Sequence, residues 1–295
     1  MRIVSQLFMI LLTLNACYQN EDSSNDAYSK EIKRWKEKRL GRLKSENGWL
    51  NLAGLFWMEE GINTIGSDSS NSIIYPEKAP LRLGSYMLRN GRVSFNPEPG
   101  SEVLMDGKPI EELEIETDKT GKPTLLESGS LAWFIIERGD QFGIRLRDYE
   151  HPAINKLTHI ESYPADPAWK IEATFQEYDE PRELLIPTII GTVEKNMCPG
   201  ILRFYVNGVQ QAFYPVAAGK KLFVIFADET SALETYGGGR FLYLDRPDKR
   251  GLVTIDFNKA FNPPCAFTAY ATCPLPPKEN FLTVRIEAGE KGVDH

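Results

Sequence analysis

Three of the carboxylates in the segment 228–290 stand out: Asp228, Asp256 and Glu290. Brought together, they would form a cluster able to move protons or hold a hard cation, and a hydrolase would use them in that way. Arg240 stands in the same segment, behind Tyr236 and three glycines, Gly237 to Gly239. Glycine lets backbone approach a ligand, and a guanidinium grips a carboxylate or phosphate through two parallel hydrogen bonds. The alternative is an ion pair of Arg240 with Asp228 or Asp256 that only holds a loop. Asp256, Asn258 and Asn262 lead into Pro263-Pro264-Cys265, and Pro274, Pro276 and Pro277 follow. Proline fixes φ and removes donors, so this stretch is rigid and non-helical. The residues favour a pocket for a small polar or anionic ligand, with Asp228, Tyr236, Arg240 and Asn258 as contacts. A hydrolase and a purely structural envelope protein are the alternatives.

Cys265 and Cys273 have three readings: a disulfide, two buried thiols, or a reactive or metal-binding pair. The histidines are His151, His159 and His295, placed poorly for a Cys–His dyad, and the cysteine spacing fits no zinc pattern. No metal site is therefore assigned, and no cofactor is identified. There is no Gly-x-Ser-x-Gly elbow, which disfavours an ordinary α/β hydrolase.

The chain has 295 residues, a net charge of −7, 42% hydrophobic and 25% charged residues. An acidic balance disfavours nucleic acid as partner. Met1-Arg2 precedes a run from Ile3 to Leu14 that is apolar but for three residues, and Leu14-Asn15-Ala16-Cys17 follows. The run is too short to span a bilayer and has the form of a secretory signal. Its end resembles a bacterial lipobox. That resemblance implies cleavage before Cys17, lipid on its thiol and a membrane as partner. The globular part would then lie in the cell envelope, outside the cytoplasm. Tyr18 to Lys30 is polar and acidic and reads as a tether.

The elements that must position the candidate groups are mostly strands. Residues 1–17 are signal peptide and lipobox, and 18–44 are tether and basic helix. A first β domain is expected over 45–155 and a second, carrying the site, over 156–295. Ser29 to Lys44 is the helix: Ile32, Trp35, Leu40 and Leu43 share a stripe, with basic side chains, Arg39 among them, over the rest. Asn90-Gly91, Asp106-Gly107 and Asn207-Gly208 predict hairpin turns with two positive φ values, and Gly139-Asp140 marks another. In that last hairpin Ile144 and Leu146 are expected inward, Arg145 and Arg147 outward. Leu222 to Phe226 is apolar on both faces, as a central covered strand would be.

Several strings resemble the bacterial family known as domain of unknown function 1684. They include Gly48 to Trp57, Tyr163 to Trp169, Phe226 to Thr230, Thr235 to Leu242, Asp256 to Phe267, Cys273 to Asn280 and Ala288 to Glu290. Thr230, Asn262, Cys265 and Asn280 lie inside them and complete the candidate ligand contacts. Ala232 stands where the family tends to carry glycine, a difference expected to alter a turn. Gly61 to Ile73 faintly resembles the forkhead-associated sandwich. Ser67 occupies the place of that module's phosphate-reading arginine, so the resemblance implies a sandwich shape and not phosphopeptide binding.

Overall fold

A computed structural model describes residues 25–293. Cys17 and the signal segment lie outside the described residues. A helix, α1, covers 25–44. It takes in residues that read as tether, because Tyr28 finds a buried partner in Asp256 at 2.7 Å. The buried side of α1 holds Ile32, Arg39 and Leu43, with Trp35 and Leu40 half-buried. Arg39 thus leaves the basic face expected for it and joins the apolar stripe. Its 32–35–39–43 spacing puts it there, and a carboxylate waits at the contact to receive it.

The first β unit is a sandwich. One sheet contains β1 (Leu52–Trp57), β6 (Leu104–Met105), β7 (Lys108–Pro109), β9 (Leu126–Ser128), β10 (Leu131–Arg138) and β11 (Gln141–Asp148). The other contains β2 (Gly61–Gly66), β3 (Ile73–Ile74), β4 (Gly84–Arg89), β5 (Arg92–Pro97) and β8 (Leu113–Glu114). Alternation along β4 sends Tyr86 and Leu88 inward, and β10 sends Leu131, Trp133 and Ile135 to meet them. The Trp133 indole donates to the Tyr86 hydroxyl at 2.9 Å, so the buried polar atoms are paired. The turns follow the sequence: Asn90, Asp106 and Asn207 all have φ near +50°, each followed by a positive-φ glycine.

A connection with a short helix, α2 (Ala153–Lys156), leads to the second unit. Its four-stranded sheet holds β12 (Lys170–Pro187), β13 (Val193–Val206), β14 (Val209–Phe213) and β18 (Leu252–Asp256). Its three-stranded sheet holds β15 (Val216–Ala218), β16 (Lys221–Phe226) and β17 (Arg240–Asp245). Both pack on one core that includes Phe204, Phe213, Phe226 and Phe257. The protein is therefore mostly β, with one long N-terminal helix and several antiparallel sheets. β16 is the middle strand of its sheet, as its sequence implied, but Phe223 on its outer face is only half-buried and faces a cleft.

On β11, Ile144 and Leu146 face the core as expected. Arg145 and Arg147 point the other way, yet they are only 5% and 8% exposed. The outer face of this sheet is covered. Arg147 donates to the carbonyls of Glu46 and Gly48 and to the Asn51 side chain in the segment after α1. Arg145 reaches the second β unit, at Thr272. A period-two pattern gives the side of the strand and not what lies over it.

Candidate functional site

Arg240 opens β17 and is 0% exposed. One of its terminal nitrogens donates to Asp228 Oδ2 at 2.6 Å and to the Ile286 carbonyl at 3.0 Å. The other donates to the Ala288 carbonyl. Asp228 Oδ1 accepts from the Thr230 amide and hydroxyl, at 2.8 and 2.7 Å. Asp228 stands at the strand end expected for it, but the segment 282–290 closes over it. Gly239 serves packing: a Cβ there would stand 2.6 Å from the Phe226 carbonyl and 2.4 Å from Pro276 Cγ.

Glu290 and Asp256 occupy separate settings. Glu290 accepts from Arg39 Nε at 3.2 Å and from the Asn262 amide at 2.7 Å. Burial pushes its carboxyl up, against the pull of Arg39. Asp256 accepts from the Tyr28 hydroxyl and the Asn258 amide, with Lys259 Nζ 3.1 Å away. Among the described residues no three carboxylate, thiol or imidazole side chains gather as a cation site. Asn258 bridges Tyr28 and Asp166, Asn262 donates to the Lys291 carbonyl, and Asn280 ties Tyr214 to Ile225. Tyr236 is half-buried and lines a shallow hollow of about 440 Å³ with Leu233 and Glu234. Cys265 and Cys273 form a disulfide, and Cys198 is a buried thiol whose acidity burial weakens.

A larger opening lies elsewhere. A cleft of about 1210 Å³ runs between α1, the outer face of the β10–β11 hairpin and the β16–β17 sheet. Seven of the side chains that line it are cationic and four are anionic, a positive hollow on a protein of charge −7. At one end Arg138 Nε and Arg145 Nη2 converge on a single oxygen, Thr272 Oγ1, at 3.2 and 3.3 Å. That hydroxyl accepts twice, which leaves its own proton to donate.

Arg138 has a carboxylate partner, Asp118 at 2.7 Å. Arg145 has none among the described residues, and its Nε is buried without a hydrogen bond. The Trp49 ring covers one side of its guanidinium, with Cζ 5.6 Å from the ring centre. Burial, then the nearby charges of Arg138 and Arg147, push its pKa down to about 10, and only Asp118 opposes them. A cation destabilised in this way is stabilised by an arriving anion. These groups suit anion recognition: two guanidiniums, a free O–H and an indole wall.

Residues 155–291 match the model of a family described as a protein of unknown function, DUF1684. The chain is also similar to an uncharacterized protein of Haloarcula marismortui solved by solution NMR. The two share 28% identity over 46% of this chain and 78% of that one, with a TM-score of 0.39. No curated protein matches.

The matched segment supplies Thr272, Phe223, Tyr243 and Phe261 to the cleft, and the chain before it supplies Trp49, Arg138, Arg145 and α1. The cleft is thus composite. The candidate groups named from the sequence lie within that segment, and Arg138, Arg145, Trp49 and Thr272 are not among them. The available signal was a pair of arginines on one face of β11, but Thr272 lies 127 residues further along the chain.

Proposed function

We propose that the protein binds a carboxylate- or phosphate-bearing ligand in the cleft, with Arg145, Arg138, Thr272 and Trp49 as the anion-holding group. One observation carries this reading: Arg145 is nearly buried, lacks a carboxylate partner among the described residues, and lines the protein's large cleft. Leaving a desolvated guanidinium uncompensated is expensive unless something pairs with it. Arg240, by contrast, has its partner in Asp228.

Anchoring by lipid on Cys17, in the cell envelope, belongs to the same proposal. The apolar run before Cys17 supports it, and the Cys265–Cys273 disulfide fits an oxidising compartment. Metabolic labelling with a radioactive fatty acid tests this part. Label should appear on wild type and vanish in Cys17→Ser; unlabelled wild type rejects anchoring.

Isothermal titration of the purified protein with inorganic phosphate, acetate and citrate tests the site. Wild type should bind at least one anion, and Arg145→Gln should lose about tenfold or more of that affinity. Equal binding by both proteins, or none by wild type, rejects the site.

A further inference from the structure

The cleft is too large for a simple ion. Ordinary small-molecule pockets run to about 300–1000 Å³, and this one is about 1210 Å³. Its cations are also spread out. Arg145 feels Arg138, Asp118 and Arg147, whereas Arg42, on the last turn of α1, acts on Tyr243. Lys170, at the start of β12, stands 5.8 Å from the Tyr28 ring centre. Arg42, Arg145 and Lys170 have no carboxylate within ion-pair distance among the described residues. Positive points with different neighbours match single charges repeated along a ligand better than one dense phosphate group.

Aromatic faces stand beside these cations. Trp49 flanks Arg145 at one place. At another, Tyr243 is 53% exposed and stacks on Phe223 at 4.8 Å and on Phe261 at 6.0 Å. Phe261 in turn meets Trp35 at 6.4 Å. An aromatic this exposed can take the C–H groups of a sugar ring by the same burial of apolar surface that drives other aromatic contacts. Asn47, Thr254 and Thr272 line the same cleft and offer partners for hydroxyl groups. An acyl chain would leave these polar groups unpaired, at a cost in affinity.

Resting on the anion-site reading above, we propose that the ligand is an acidic oligosaccharide, two or more sugar rings carrying carboxylates. One carboxylate meets Arg145, Arg138 and the Thr272 hydroxyl. A ring further along rests on Tyr243, with its charge toward Arg42. Binding requires no covalent step.

Titration calorimetry with uronate trimers of galacturonic, mannuronic and glucuronic type, each against its monomer and its neutral trimer, tests the assignment. At least one acidic trimer should bind about tenfold or more tighter than both its monomer and its neutral counterpart. Arg145→Gln should weaken the acidic trimer and the monomer alike. Tyr243→Ala, at an exposed position and with its fold checked by thermal melt, should weaken the trimer and spare the monomer. If monomers, acetate or phosphate bind through Arg145 and no trimer gains on its monomer, the oligosaccharide is wrong while the anion site stands. If a neutral trimer binds as well as the acidic one and Arg145→Gln changes nothing, the cleft takes neutral sugar and both readings fail. If no anion of any size binds wild type, both fail as well.

Discussion

Arg39 and Glu290 are 251 residues apart in sequence and meet at 3.2 Å inside the protein. The same guanidinium donates to the Asn262 carbonyl at 2.8 Å and lies 4.7 Å from the Phe261 ring centre. The first helix is thereby fixed to the last described segment by charge, hydrogen bond and ring at once.

Arg39→Ala removes all three contacts and leaves the Glu290 carboxylate buried without its cation. The expected loss is about 3–5 kcal/mol, the usual cost of breaking a buried pair. Urea unfolding of both proteins measures it. A loss below about 1 kcal/mol would mean that α1 contributes little to the fold.

Arg240 and Arg145 should behave oppositely. Arg240→Ala strands Asp228 in the interior and should cost about 3–5 kcal/mol. It should leave anion affinity unchanged wherever the protein stays folded. Arg145→Gln removes an unpaired, desolvated charge, so its midpoint should hold or rise while affinity falls. Thermal melts and titrations on the two variants separate fold from site. A large drop in the Arg145→Gln midpoint would show that this guanidinium serves the structure.

Ala232 has φ of +63°, in the left-handed region. A residue with Cβ pays roughly 1–2 kcal/mol there, and glycine's added chain entropy offsets about half of it. Ala232→Gly should therefore raise stability by about 0.5–1 kcal/mol, read as a shift in urea midpoint at constant slope. A fall in midpoint would place the strain elsewhere.

Asp148 gives a pH signature. Burial disfavours its charge, but donors from Lys78, the Glu150 amide and Ser130 outweigh burial and hold the carboxyl below its usual range. A depressed carboxyl binds its proton more weakly in the folded state than in the unfolded one. The stability it contributes is therefore present above the unfolded value of about 3.9 and is lost as pH falls below that. Asp148→Asn should lower stability at pH 7 and flatten the acid limb of the stability curve below pH about 4. A parallel offset at all pH values would assign the effect to packing.

How much of this was readable beforehand depended on distance along the chain. The Asn-Gly and Asp-Gly turns are local, and φ values near +50° at Asn90, Asp106 and Asn207 follow from residue type alone. Tyr86 and Leu88 point inward because β4 alternates. Arg39 sat at a stripe position of α1 in plain view, yet an arginine reads as solvated until its carboxylate is known. Arg145 read as exposed because nothing near it in sequence announces Trp49 or Thr272 as its cover. Cys265 and Cys273 left three states open; their placement closes a disulfide beside Thr272. Asp228 follows its strand as expected, and a pair with Arg240 was one of the readings open for that loop, but the closure over them by Ile286 and Ala288 is non-local.

Tyr28 rests on Asp256, and Arg39 on Glu290. These contacts of α1 therefore wait for the segment 256–290 to be made. A chain emerging N-terminus first carries Trp35 without its partner Phe261 until that segment arrives. Assembly must bring these distant segments together, a long-range closure that slows folding. A protein cut short before Asn262 should leave α1 open to trypsin at Lys36 and Arg42, while the sandwich stays resistant. Equal protection of α1 in the shortened and full chains would show that the helix seats itself without the tail.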